Sequence, residues 1–207
     1  MSTITDSQLL EYNQDHWCNL ITLSTESIEY FWSRIKYSQQ SDIMYNHMLA
    51  GNISKSLAFF DNEDFIPNRL FKDIIADKLD FYSNKIQKNL TQPVLTGSWI
   101  NFQKKYEFNP IHDHHGILSF VLWLQIPYNW EDEKDLEIVK NSNFNYSVGN
   151  FAFIYCDQNK IKQNFITMNS DIQGRMAVFP SYFNHMVYPF YTSDLERISV
   201  SGNIEFE

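Results

Sequence analysis

Cysteine is almost absent from this chain: Cys18 and Cys156 are the only two in 207 residues, and no C-x-x-C occurs. That count excludes a disulfide framework, and reduced thiols in a cytoplasmic protein are the expectation. Glycine is scarce as well, six in all. None forms a G-x-G-x-x-G or a phosphate-binding loop, so neither nucleotide motif is present. No apolar run reaches the roughly 18 residues that would announce a membrane-spanning helix. The opening Met1-Ser-Thr-Ile-Thr-Asp-Ser-Gln8 lacks the basic and apolar regions of a secretory signal. Positive charge is in deficit: 16 Lys and Arg stand against 25 Asp and Glu, a net charge of −9. Binding a nucleic-acid backbone calls for the opposite, a basic footprint.

What is abundant is aromatic: 17 Phe and 12 Tyr bring the aromatic share to 16%, which suits a β-rich core. The length fits one domain carrying a helical extension and is enough to bury a sizeable core. Residues 1–93 read as a helical part. Ser24 or Thr25 is placed to cap a helix whose apolar face is Ile28, Phe31, Trp32 and Ile35. A second helix is predicted from Phe71, Ile74, Ile75, Leu79, Tyr82 and Ile86, with a turn at Leu49 to Asn52 and a polar loop at Asp61 to Asp64. From residue 94 to 207 the period shifts to short strands: 94–102, 118–126, 150–156, 164–168, 175–179, 185–188 and 197–206. The acidic stretch 129–137 reads as a solvated loop. Strands without intervening helices predict a sandwich or jelly roll rather than a parallel α/β sheet. The fold class is therefore mainly β with an N-terminal α-helical part.

Half of the six histidines fall within four residues, in Asn109-Pro-Ile-His112-Asp113-His114-His115-Gly116. In an extended segment His112 and His114 share one face, while Asp113 and His115 share the other. Two imidazoles on one element hold half of a metal site, and His185, in Phe179-Pro-Ser-Tyr-Phe-Asn-His185-Met-Val187, is the candidate third ligand. Asp113 is the nearest carboxylate for a two-histidine, one-carboxylate triad. Period two turns it away from His112, so three histidines are favoured, with Asp113 supporting them from behind; a bulge would reverse that choice. Twelve residues after His185 comes Arg197-Ile-Ser199. The arginine and the serine lie on one strand face, where a planar guanidinium and a hydroxyl suit a carboxylate. A surface ion pair of Arg197 with Glu196 or Asp194 is the alternative. Asn101 and Gln103, two apart on the preceding strand, are placed to line the same pocket.

These motifs resemble the 2-oxoglutarate and Fe(II)-dependent dioxygenase superfamily. The first reads H-x-H-x-G-x-L-S-F here, from His112 through Gly116 and Leu118 to Phe120. The second is F-P-x-x-x-x-H-x-V followed by R-x-S, from Phe179 to Val187 and then Arg197 to Ser199. The narrower resemblance is to oxygenase-like proteins encoded by marine bacteriophages. The superfamily implies a double-stranded β-helix over about 95–205 and Fe(II) held by His112, His114 and His185. It also implies 2-oxoglutarate clamped by Arg197 and Ser199, with Asn101 as a further contact. Most of the superfamily has Asp or Glu where this chain has His114. The reaction implied is oxidative decarboxylation of 2-oxoglutarate coupled to hydroxylation of a small molecule or peptide, with nucleic acid disfavoured by the acidic balance. A cupin-type three-histidine metalloenzyme such as a thiol dioxygenase, and a non-catalytic binding protein on the same fold, are the rival readings.

Overall fold

The computed structural model describes residues 2–86, 90, 92–143 and 145–207. In chain order the elements are β1 (Ile4–Glu11), β2 (Trp17–Leu23), α1 (Thr25–Ser41), β3 (Ser56–Ala58), α2 (Phe71–Asp77) and α3 (Leu79–Ile86). They are followed by β4 (Pro93–Gln103), β5 (Asn109–His112), β6 (Leu118–Gln125), α4 (Trp130–Lys134) and α5 (Glu137–Lys140). The last five are β7 (Phe151–Asp157), β8 (Lys160–Ile166), β9 (Arg175–Pro180), β10 (His185–Val187) and β11 (Arg197–Phe206).

Two antiparallel sheets face each other. The larger has seven strands in the order β1-β2-β9-β6-β11-β4-β3, and the smaller has four in the order β5-β10-β7-β8. The expected sandwich is present, with α1, α2 and α3 packed outside the larger sheet. Strand alternation assigns each side chain to one of two cores. In β6, Phe120, Leu122 and Leu124 join the layer under the helices, together with Phe31, Ile35, Phe71 and Ile74. Val121 and Trp123 of the same strand point between the sheets, toward Phe151, Phe153 and Phe179. Because both faces are covered, Leu-Ser-Phe-Val-Leu-Trp-Leu reads as an almost unbroken apolar run rather than an alternating one.

The first helix forms where expected. The Ser24 side chain accepts a hydrogen bond from the Ser27 amide, and the helix ends at Asp42 in the left-handed region. The N-terminal part is less helical than its sequence suggests, since β1 and β2 extend the larger sheet by two strands and β3 closes its other edge. The helix expected over 71–86 is two, broken at Lys78 and preceded by a π-turn over Ile66–Leu70. The Asp61 carboxylate, expected in a plain loop, accepts the Phe65 and Ile66 amides and the Tyr30 hydroxyl, and so builds that turn. The acidic stretch 129–137 is not a solvated loop either: it contains α4, and Glu133 is 0% exposed. Its two oxygens accept the Tyr191 and Thr192 amides and the Thr192 hydroxyl, which is why a carboxylate tolerates that burial. Among the described residues no helix is long and apolar enough to cross a membrane.

Candidate metal centre and anion pocket

His112 ends β5, and His185 opens β10 directly opposite it in the ladder. His114 lies past the end of β5, tied to the sandwich by its amide, which donates to the Ser181 carbonyl at 2.9 Å. Strand pairing and this loop tether bring the three imidazoles to one point. One ring nitrogen from each lies within 4.8 Å of the others, and the ring centroids are 4.3–5.0 Å apart. Asp113 and His115 do not join the cluster; both are exposed at its outer rim.

Two of the rings are oriented by backbone carbonyls. His112 Nδ1 lies 2.7 Å from the Pro110 oxygen, and His185 Nδ1 lies 2.9 Å from the Phe183 oxygen. A carbonyl only accepts, so each Nδ1 carries the proton and each Nε2 keeps its lone pair for a metal. Burial, reinforced by the neighbouring rings, holds His185 well below the ordinary imidazole range and His114 at about 3. Burial likewise lowers His112. Three neutral imidazoles with free lone pairs form a donor set that suits a divalent iron. The His185 ring lies flat against Phe151 and meets the edge of Phe179.

Behind the histidines is a narrow cavity of about 40 Å³ between the sheets. Its floor comes from β4 and β11 in register: Gln103 opposite Arg197, Asn101 opposite Ser199, and Trp99 opposite Ser201. All six side chains line it, as do His112, His114 and His185. Arg197 is 3% exposed. Its Nε and one terminal nitrogen donate to Gln103 Oε1 at 3.1 and 2.5 Å. The other terminal nitrogen donates to the Tyr128 hydroxyl at 2.5 Å and the Gly149 carbonyl at 2.7 Å. A longer contact, 3.3 Å, reaches the Tyr188 carbonyl.

Every one of these acceptors is neutral, and among the described residues Arg197 forms no ion pair. Asp194, weighed as its partner, pairs with Lys105 instead. A buried guanidinium without a counter-charge is an anion receptor, because an ionised oxygen is a stronger acceptor than the amide oxygen now on its fork. Asn101 uses its oxygen to accept the Ser56 hydroxyl at 2.7 Å.

Thus His112, His114, His185, Asn101, Ser199 and Arg197, all singled out by spacing, share one cavity. Tyr128 was not foreseen. It stands in the segment after β6, stacks on Phe190 at 4.5 Å, and bridges Arg197 to the Gly149 carbonyl. Burial pushes its phenol up to about 12 against the pull of Arg197, so it stays a neutral partner. No periodicity marks a residue that reaches a pocket from a loop.

A two-sheet β-sandwich with three convergent histidines and a buried arginine defines a metal-dependent enzyme class, and comparison with known proteins agrees. Residues 97–203, just over half of the chain, match the family model described as "Putative 2OG-Fe(II) oxygenase". The chain belongs to this family. Two solved structures share the fold. A Pseudomonas putida prolyl-4-hydroxylase is 13% identical over 93% of this chain and 94% of its own, with a TM-score of 0.54. The non-heme alpha-ketoglutarate-dependent carbocyclase SnoK from nogalamycin biosynthesis is 9% identical over 93% of this chain and 81% of its own, with a TM-score of 0.59. No curated protein matches the sequence.

Proposed function

We propose that this oxygenase is a hydroxylase that holds Fe(II) with His112, His114 and His185 and takes 2-oxoglutarate as cosubstrate. When bound, the metal would supply the chemistry by which dioxygen is the oxidant: one oxygen atom goes to 2-oxoglutarate, which leaves as succinate and carbon dioxide, and the other to the substrate as a hydroxyl group. The protein's residues bind, orient and exclude water. The Pro110 and Phe183 carbonyls fix the tautomers and ring planes of His112 and His185. Arg197 receives the far carboxylate of 2-oxoglutarate, with the Ser199 hydroxyl beside it on the same strand face. The Asn101 amide nitrogen, left free by the bond from Ser56 to its oxygen, is an added donor. Phe151, Phe179 and Trp123 keep the inner end dry, which strengthens each of these polar contacts.

The observation that carries this reading is Arg197: a buried cation without a counter-charge, in the same cavity as three neutral imidazoles. A three-histidine thiol dioxygenase shares the imidazoles, and the absence of a carboxylate among them favours it. Such an enzyme has no use for a buried dicarboxylate receptor. The substrate class is a small molecule or peptide, with nucleic acid disfavoured by the charge of −9. The narrower likeness to phage-encoded proteins rests on the His112 to Phe120 element, and a cytoplasmic setting on the free Cys18 and Cys156. The test is succinate release from 2-oxoglutarate by protein supplied with Fe(II) and oxygen. Release above the protein-free control supports the reading; 2-oxoglutarate that neither binds nor turns over overturns it.

A further inference from the structure

Outside the histidine cluster the cavity opens into a vestibule of about 440 Å³. Its chemistry is one-sided. Among the described residues that line it there is no lysine, arginine or glutamate, and apart from the histidines Asp113 is the only ionisable acid or base other than a phenol. Asn109 lines both the inner cavity and the vestibule, and its Oδ1 is buried without a hydrogen-bond partner. That oxygen is kept in place by the bare backbone of Gly51, where a Cβ would stand 2.0 Å from it. Tyr45 and Trp99 form a wall of two nearly parallel rings, 8° apart in plane with centroids 6.0 Å apart. His114 leans on Trp99 at 5.3 Å.

A carboxylate and aromatic faces attract N–H donors and cations, and both repel anions. A metal dication and the 2-oxoglutarate dianion cancel deeper in, and Arg197 lies behind them. Arg197 remains as one positive charge at the far inner end, and Asp113, at the mouth, is the charge nearest to an incoming molecule. Resting on the reading above, we propose that the substrate carries a cationic nitrogen, an alkylammonium or guanidinium group. That group lies against Trp99 and Tyr45 within reach of Asp113. The source is either a free basic amino acid or a lysine or arginine side chain in a peptide.

The probes are Nα-acetyl-lysine methylamide, its neutral isostere Nα-acetyl-norleucine methylamide, Nα-acetyl-glutamate methylamide, free lysine, and a heptapeptide with one central lysine. Each is titrated calorimetrically into oxygen-free protein loaded with Mn(II) and 2-oxoglutarate. Lysine compounds should bind about tenfold tighter than norleucine, as one ion contact plus a cation–π contact implies, and the glutamate compound should not bind. In Asp113→Asn, an exposed site where folding is not at stake, the lysine preference should fall toward unity. The tighter of the free amino acid and the heptapeptide names the source. Equal or tighter binding of norleucine or glutamate, or an undiminished preference in Asp113→Asn, overturns the assignment. A separate 2-oxoglutarate titration tells the two failures apart: normal cosubstrate binding without cation preference sinks only the substrate class, whereas absent cosubstrate binding sinks the reading beneath it.

Discussion

The three histidines are held with unequal firmness, and that ordering predicts unequal consequences. His185 is 4% exposed, packed on Phe151 and Phe179, and hydrogen-bonded through Nδ1. His114 is tied by its backbone amide and touches the Trp99 ring and the other two imidazoles, and no side-chain hydrogen bond orients its ring among the described residues. His114→Ala should thus lower metal affinity with little loss of stability, whereas His185→Ala should lower both. Loss of a partner outside the ligands costs about 10–100-fold in metal affinity, so loss of a ligand should exceed about 100-fold. Competition with a chromophoric chelator checks this, and Asp113→Ala should leave the metal affinity nearly unchanged on the same assay, because Asp113 is exposed and outside the cluster. If Asp113→Ala abolishes binding while His114→Ala keeps it, the ligand set is misassigned. Arg197→Ala should weaken 2-oxoglutarate binding by about 2–4 kcal/mol, since a charge-assisted contact is lost in a dry pocket, while metal affinity holds. Calorimetry with 2-oxoglutarate reads it directly. These residues were legible because metal and carboxylate chemistry constrains residue type and order together. Tyr128 was not, because only the folded path of the segment after β6 delivers it to Arg197.

At the level of elements, the pocket floor depends on a segment that touches no ligand. Glu133 of α4 holds the amides of Tyr191 and Thr192. Just upstream on the same segment, the Pro189 carbonyl accepts the Gly149 amide, and the Tyr188 carbonyl accepts from Arg197. Glu133→Ala removes a buried acceptor and strands three donors. It should cost about 2–4 kcal/mol of stability and weaken 2-oxoglutarate binding indirectly, a pair of effects read by urea titration and calorimetry. In its sequence, Glu133 is one acid among several in an exposed-looking run, and nothing local distinguishes a buried carboxylate from its solvated neighbours. β11 offers a second test. A Cβ on Gly202 would meet the Gly97 carbonyl at 2.7 Å and the Phe120 ring at 2.8 Å. Both belong to neighbouring strands, so the clash cannot relax by rotating a flexible chain end. Gly202→Ala should destabilise by about 1–3 kcal/mol through overpacking. The strands flanking it were legible from their aromatic and β-branched runs; the close approach of β4 was not, since it follows from register.

For the molecule as a whole, the sequence carried the sandwich but understated the larger sheet. β1 reads poorly as a strand because it lies at the sheet edge, where its mostly polar residues leave little apolar alternation, and β2 because a short buried apolar run does not by itself separate strand from helix. The helix over 71–86 read as continuous because its apolar spacing runs past Lys78, where the backbone alone breaks it. Folding of this chain also creates a titration. In the unfolded chain the three site histidines take up protons near pH 6.5, whereas in the native state burial holds His114 at about 3 and His185 and His112 below their usual range. Between those limits the unfolded state binds more protons, so stability is greatest above about pH 6.5 and falls as acid is added. Metal acts in the same direction, because it binds only the neutral imidazoles. Urea titrations in chelator at pH 7.5, 6.5, 5.5 and 5.0 should therefore show a steady loss of stability in the wild-type protein. His114→Gln removes one of these groups, and its slope at the acid end should be shallower by up to about 1.4 kcal/mol per pH unit, the value of one linked proton. Parallel slopes for the two proteins would mean that His114 takes up its proton in the folded state, which a ring waiting for a metal does not do.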